Sequence, residues 1–203
     1  MNLKHFVRAA GAGAVTLACS MVLAHAQGPL ALTTSKITIA GTSNIHDYTA
    51  TTSQAKVAKV QLGEVAPGAS FWDDVQKPGG LQAFDLTIPA LTLKSTKEGL
   101  DKNMYKALKT EKHPEITFSM LRMEGTPGAL KAVGTLTIAG VEREVTLPLK
   151  TARKGDGLAV SGELDVLMTD YGIAPPKAMM GMVKADPKIK ITFDVLLGIN
   201  DTN

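Results

Sequence analysis

The stretch Gly134-Thr-Leu-Thr-Ile-Ala-Gly-Val-Glu-Arg-Glu-Val-Thr-Leu-Pro-Leu149 is two alternating segments folded back at Ala139-Gly140. Leu136 and Ile138 alternate with Thr135 and Thr137; on the return, Val145, Leu147 and Leu149 alternate with Glu144, Thr146 and Lys150. A period of two puts successive side chains on opposite faces. The stretch therefore predicts a β-hairpin with one face toward a core and the other toward water, and nothing in it has a catalytic pattern.

The same period recurs along the chain at Ile37 and Ile39, at Val57 and Val60, at Phe84, Leu86 and Ile88, and at Ile116, Phe118 and Met120. It resumes at Leu164, Val166 and Met168, and again at Ile189, Ile191, Phe193, Val195 and Leu197. Short strands at this spacing, punctuated by Gly125-Thr-Pro-Gly128 and Gly155-Asp-Gly157, indicate an all-β protein, an antiparallel barrel or sandwich. After Ile88 the apolar positions change phase to Leu91 and Leu93, which predicts a bulge or bend at Pro89. One segment reads as helix: Ser95-Thr-Lys-Glu98 has capping-box spacing, Leu100, Met104 and Leu108 form a stripe, and His113-Pro114 ends it. The segment from Pro67 to Gly80, with Phe71 and Trp72, reads as a loop.

The N-terminus carries Lys4 and Arg8, an apolar stretch from Ala9 to Leu23, and Ala24-His25-Ala26, a small-x-small cleavage pattern. This predicts a signal peptide over residues 1–26 and a mature domain over 27–203. The apolar stretch is roughly 15 residues, short of the roughly 20 that a membrane span needs. Thr16-Leu17-Ala18-Cys19 loosely imitates a lipoprotein cleavage box, but apolar residues continue past it, which suits ordinary cleavage better. Cleavage at Ala26 removes Cys19, the only cysteine, and with it any disulfide or thiol chemistry. It also takes the basic count from 22 to 20 against 19 acidic residues, a net charge of +1. The basic precursor is therefore no nucleic-acid signal, and the mature length suits one domain.

Candidate chemistry is sparse. His46 and His113 are the histidines that survive cleavage, and zinc needs three or four ligands, so no metal site is expected from them. Met168, Met179, Met180 and Met182 offer thioethers that would suit Cu(I), or adaptable filling for an apolar surface. Lys102, Lys106 and Lys109 form a cationic stripe on the helix, facing water or making transient contact with an anionic membrane surface. No nucleophile elbow, zinc-protease motif or phosphate-binding glycine loop occurs, so neither an enzyme nor a cofactor is expected.

Asn44-Ile-His-Asp-Tyr48, Leu100-Asp-Lys-Asn-Met104, His113-Pro-Glu-Ile-Thr-Phe118, Gly134-Thr-Leu-Thr-Ile-Ala-Gly140 and Asp170-Tyr-Gly-Ile173, in this order and followed by the closing apolar strand, resemble the YceI-like family. The resemblance runs from about Leu32 to Ile199. It implies a periplasmic, lipocalin-like antiparallel barrel of about eight strands with one short helix, which holds a polyisoprenoid or fatty-acyl lipid in an apolar lumen, and it supplies no catalytic residues. Alternation alone leaves open a barrel packed solid, a structural or stress protein of the envelope; the resemblance favours an open lumen. The residues expected to contact lipid are Phe84, Leu86, Ile88, Ile116, Phe118, Met120, Leu136, Ile138, Val145, Leu147, Met168, Ile191 and Phe193 in the lumen. Tyr171, Ile173, Met179, Met180 and Met182 are expected in a lid, since Pro175-Pro176 bars a central strand.

Overall fold

Ala139 and Gly140 both take left-handed backbone angles, φ 51° and 80°, the primed-turn geometry whose twist matches the strands it joins. A Cβ on Gly140 would collide with the His113 ring, so that histidine is packing against the turn. In the computed structural model, which describes residues 29–200, the hairpin pairs Ile138 with Val141 and Leu130 with Leu149. The expected signal segment and cleavage site lie outside the described residues.

The strands are β1 (Leu30–Ser43), β2 (Asp47–Thr52), β3 (Lys56–Leu62), β4 (Leu81–Pro89), β5 (Glu115–Glu124), β6 (Leu130–Ile138), β7 (Val141–Lys154), β8 (Gly157–Leu167), β9 (Lys177–Ala178) and β10 (Val183–Ile199). Two helices interrupt them, α1 (Phe71–Val75) and α2 (Glu98–Leu108). The sheet order is β2-β1-β10-β8-β7-β6-β5-β4-β3, all neighbours antiparallel, with β9 attached to β10. This curled sheet forms a half-barrel around an apolar interior. Its two edge strands, β2 and β3, are consecutive in the chain, so the connection at Ser53–Ala55 carries the backbone from one edge to the other.

The strand count thus exceeds the expected eight. The two residues of β9 are too few for periodicity to register, and β2 is built largely of polar residues. A second helix also appears where a loop was expected: α1 buries Phe71, Trp72 and Val75. Its five residues are too few to display a helical stripe. The phase slip at Pro89 is the end of β4, where a 3₁₀ turn (Ala90–Thr92) leaves Leu91 exposed and buries Leu93 completely.

Buried residues form two clusters. One includes Ile37, Ile88, Leu93, Leu136 and Tyr171 at the α2 end; the other joins Leu30, Leu158 and Leu197 to Phe71, Trp72 and Val75 of α1. The indole nitrogen of Trp72 donates to the Asp156 carbonyl at 2.7 Å, which pins α1 across that end of the sheet. Among the described residues no helix is long and apolar enough to cross a membrane.

Candidate functional site

Side chains do not fill the interior. It holds two chambers, of about 160 and 380 Å³. Their linings follow each strand in order. On β10, Leu197, Val195 and Phe193 face the smaller chamber, Ile191 faces both, and Ile189 faces the larger. On β4 the order is Leu81, Phe84 and Leu86, then Ile88 shared; on β6 it is Leu130 and Ala132, then Leu136 shared, then Ile138. Ile37 is shared in the same way on β1. The chambers therefore lie end to end along the barrel and adjoin at a waist of Ile37, Ile88, Leu136 and Ile191. Nine residues of β10 from Ile189 to Leu197, tilted as barrel strands are, span about 20 Å of axis.

Polarity changes along this path. The small chamber is floored by Val75 and Gln76 of the α1 segment, and its only polar side chains are Gln76 and Thr151. Gln76 is itself occupied, donating its amide to the Trp72 carbonyl at 2.9 Å. The large chamber is apolar near the waist but carries Ser43, His46, Tyr48, Lys97, Asn103, Tyr171 and Lys177 among its lining. Burial, with Asp186 nearby, pushes the Tyr48 phenol up; burial does the same to Tyr171, where Asp170 adds to it and Arg143 opposes it. Both phenols are therefore neutral at any ordinary pH and can donate a hydrogen bond. Gly41 makes room for the Tyr48 ring, since a Cβ there would overlap the hydroxyl.

Three elements frame the large chamber: the β1–β2 turn, α2, and the segment from Met168 to Ala185. The turn and the last segment are tied together by Asn44, whose amide donates to the Met182 carbonyl at 2.9 Å and whose oxygen accepts from the Lys184 amide at 2.8 Å. Helix α2 is held by Asp101, which accepts from the Ser95 amide at 2.8 Å, and by the Tyr105 hydroxyl on the carbonyls of Leu91 and Leu93. The capping box expected at Ser95 is thus displaced. Lys97 is the N-cap and makes no side-chain cap, while the carboxylate that reaches back belongs to Asp101.

Of the residues expected at the site, Phe84, Leu86, Phe118, Met120, Leu147 and Phe193 line the small chamber, with Ile88, Leu136 and Ile191 at the waist. Ile116, Ile138, Met168, Tyr171, Ile173 and Met179 line the large one. Val145, Met180 and Met182 line neither. Val145 lies opposite Gly134 and packs against the cluster that contains Tyr171. Met179 and Met180 have positive φ, 49° and 58°; Met180 is fully exposed and Met182 largely so. The four methionines named as a copper alternative accordingly occupy different surroundings, from buried Met168 to exposed Met180. Lys109 leaves the helical stripe, because it is the C-cap in a left-handed conformation, and Lys102 pairs with Glu98 at 3.2 Å.

Other lining residues carry weaker signals in the sequence. A register shift between Leu32 and Thr34 moves the inner face of β1 from Leu32 to Ile37 and Ile39, which hides the strand's continuity. Leu100, Met104 and Leu108 show as a helical stripe, but nothing in it says that the stripe faces a cavity. Tyr48 and Ala50 share one face of β2, a period-two signal that points both inward.

Known proteins share this architecture. Burkholderia cenocepacia BcnA is similar with a TM-score of 0.64 at 14% identity, over 80% of this chain and 95% of that one. A polyisoprenoid-binding domain from Saccharophagus degradans, implicated in plant cell wall breakdown, is similar with a TM-score of 0.61 at 11% identity, over 85% and 99%. The Campylobacter jejuni YceI protein gives 0.50 at 19% identity, over 70% and 82%. Among curated proteins none matches in sequence. At these identities the solved structures speak for the fold alone; the sequence profile of the YceI-like domain, however, matches residues 33–197, nearly all of the sheet with its two chambers, and the chain belongs to that family.

Proposed function

We propose that this protein is a non-catalytic periplasmic binding protein that holds one long-chain isoprenoid or fatty-acyl lipid, tail toward α1 and polar end between Tyr48, Tyr171, Lys97 and Lys177. The observation that carries the reading is the end-to-end pair of chambers, the one beside α1 almost entirely apolar and the other carrying most of the polar side chains. Each buried CH₂ contributes about 0.8 kcal/mol. Roughly a dozen carbons then supply about 10 kcal/mol, enough to offset much of an association cost of about 4–15 kcal/mol. Family membership and the polyisoprenoid-binding neighbour support a lipid as the occupant. The N-terminal segment with its Ala24-His-Ala26 pattern supports export.

Protein purified natively from the envelope fraction, without detergent, should yield one dominant long-chain lipid on organic extraction and mass spectrometry, near one per chain. Intact mass should place the mature N-terminus at Gln27. Protein that carries no lipid, and takes up none from a panel of isoprenoid and acyl lipids, would return the reading to an envelope protein without a ligand.

A further inference from the structure

The Met179–Met182 turn is apolar, exposed and held in an unusual conformation. Met179, Met180 and Gly181 are three successive residues with positive φ, 49°, 58° and 89°, a costly geometry for methionine. It leaves Met179 and Met182 about two-thirds exposed and Met180 wholly so. Ile45, 59% exposed on the β1–β2 turn, belongs to the same rim, because Asn44 beside it bonds the backbone of Met182 and Lys184. Four large apolar side chains thus project from the edge of the larger chamber, where a water-facing rim would carry polar ones.

Lysines flank the turn. Lys177 and Lys184 face each other across the β9–β10 pair, Lys97 also lines the chamber, and none of the three is in an ion pair among the described residues. The segment Lys177–Lys184 itself contains two lysines and no acidic residue; Glu98 is paired with Lys102, while Asp186, which accepts from the Lys188 amide, Asp47 on the β1–β2 turn and Asp170 beside Tyr171 lie outside that segment. An apolar tip flanked on both sides by lysines outside any ion pair is complementary to an anionic bilayer: methionine and isoleucine enter the acyl boundary while Lys177 and Lys184 meet the phosphates.

We infer that the Met179–Met182 turn and Ile45 dock the chamber's opening onto an anionic lipid bilayer, so that a lipid passes between membrane and barrel without crossing water. The inference rests on the lipid-carrying reading above, and the test separates the two. The mature full-length chain is floated with phosphatidylcholine vesicles, with and without phosphatidylglycerol, and its extractable lipid is measured in parallel. The wild type should float with phosphatidylglycerol vesicles, less so at high salt, and not with phosphatidylcholine alone. Met180→Asp, at a fully exposed position that should leave the fold intact, should weaken partitioning roughly tenfold. Lys177→Glu with Lys184→Glu should abolish the preference for phosphatidylglycerol, with the β-sheet circular dichroism of both variants unchanged.

A wild type that floats with neither vesicle, or a Met180→Asp variant that floats undiminished, would overturn the docking. So would a wild-type dimer that Met180→Asp splits with no loss of flotation, since the rim would then cover a second copy. Protein that carries lipid yet never floats sinks the docking and leaves the carrier reading standing. Protein that floats but holds no lipid does the reverse.

Discussion

Phe118 and Phe193 each stand beside a glycine in the neighbouring strand. A Cβ on Gly134 would come within 2.7 Å of the Phe118 ring, and one on Gly162 within 2.5 Å of the Phe193 ring. The glycines leave a recess that an aromatic ring covers, and the rings lie along the wall of the small chamber. Because Phe118 borders open space on one side, Phe118→Ala should cost the lipid-free protein about 1–3 kcal/mol in urea unfolding, below the roughly 3–5 kcal/mol of a fully packed phenylalanine. Lipid retained through purification should fall clearly. A full-size stability loss with lipid content unchanged would mean that the ring acts as packing alone. Alternation made these inward positions legible, since residue type and period together choose a face. It could not place Met180, whose own φ is positive, or Met182, which follows three successive positive-φ residues that the methionine side chains do nothing to announce.

At the scale of elements, α2 is governed by one carboxylate. Burial alone would raise the pKa of Asp101, but hydrogen bonds from Ser95 and the charge of Lys94, 3.9 Å away, outweigh it and hold the group below the ordinary carboxylate range. A depressed folded pKa contributes stability that is complete above the unfolded carboxyl's value of about 3.9 and is lost as pH falls through the folded value. The wild type should therefore lose stability on acidification in that window. Asp101→Asn should show a shallower acid-side slope in thermal melts between pH 5 and 2, roughly bracketing that value. Equal slopes would show that Asp101 contributes no charge-dependent anchoring. The helix was legible from its stripe, but its end was not: it stops at Leu108, where Lys109 turns left-handed, ahead of His113-Pro114. Nor was its true start, because the residue that reaches back lies three positions beyond the glutamate that the capping pattern names. Helix α1 was illegible for a different reason: five residues between proline and glycine punctuation read as loop, although Phe71, Trp72 and Val75 are buried and Val75 lines the small chamber.

The whole molecule has a sheet order that period two cannot specify, because alternation assigns faces and leaves partners unassigned. Strands β2 and β3 end the hydrogen-bonded path, and the first part of β1, whose pairing with β2 begins only at Ile37, touches β3 without a ladder between them. The wall therefore has a seam. Along it, parting the sheet breaks side-chain contacts but no row of backbone hydrogen bonds, so it is the cheapest place for the barrel to widen around a thicker guest. Amide hydrogen exchange should register this as faster exchange along Lys56–Leu62 than along the doubly paired strands β5 to β7, with the gap growing when lipid is stripped by organic extraction and the protein refolded. Uniform protection across all strands would refute a weak line there. Lys56 and Lys59, exposed on β3, take on a separate meaning at such a line: a lysine on an unpaired edge discourages another chain from adding a strand, so the barrel can gape for its cargo without offering itself as a template for aggregation.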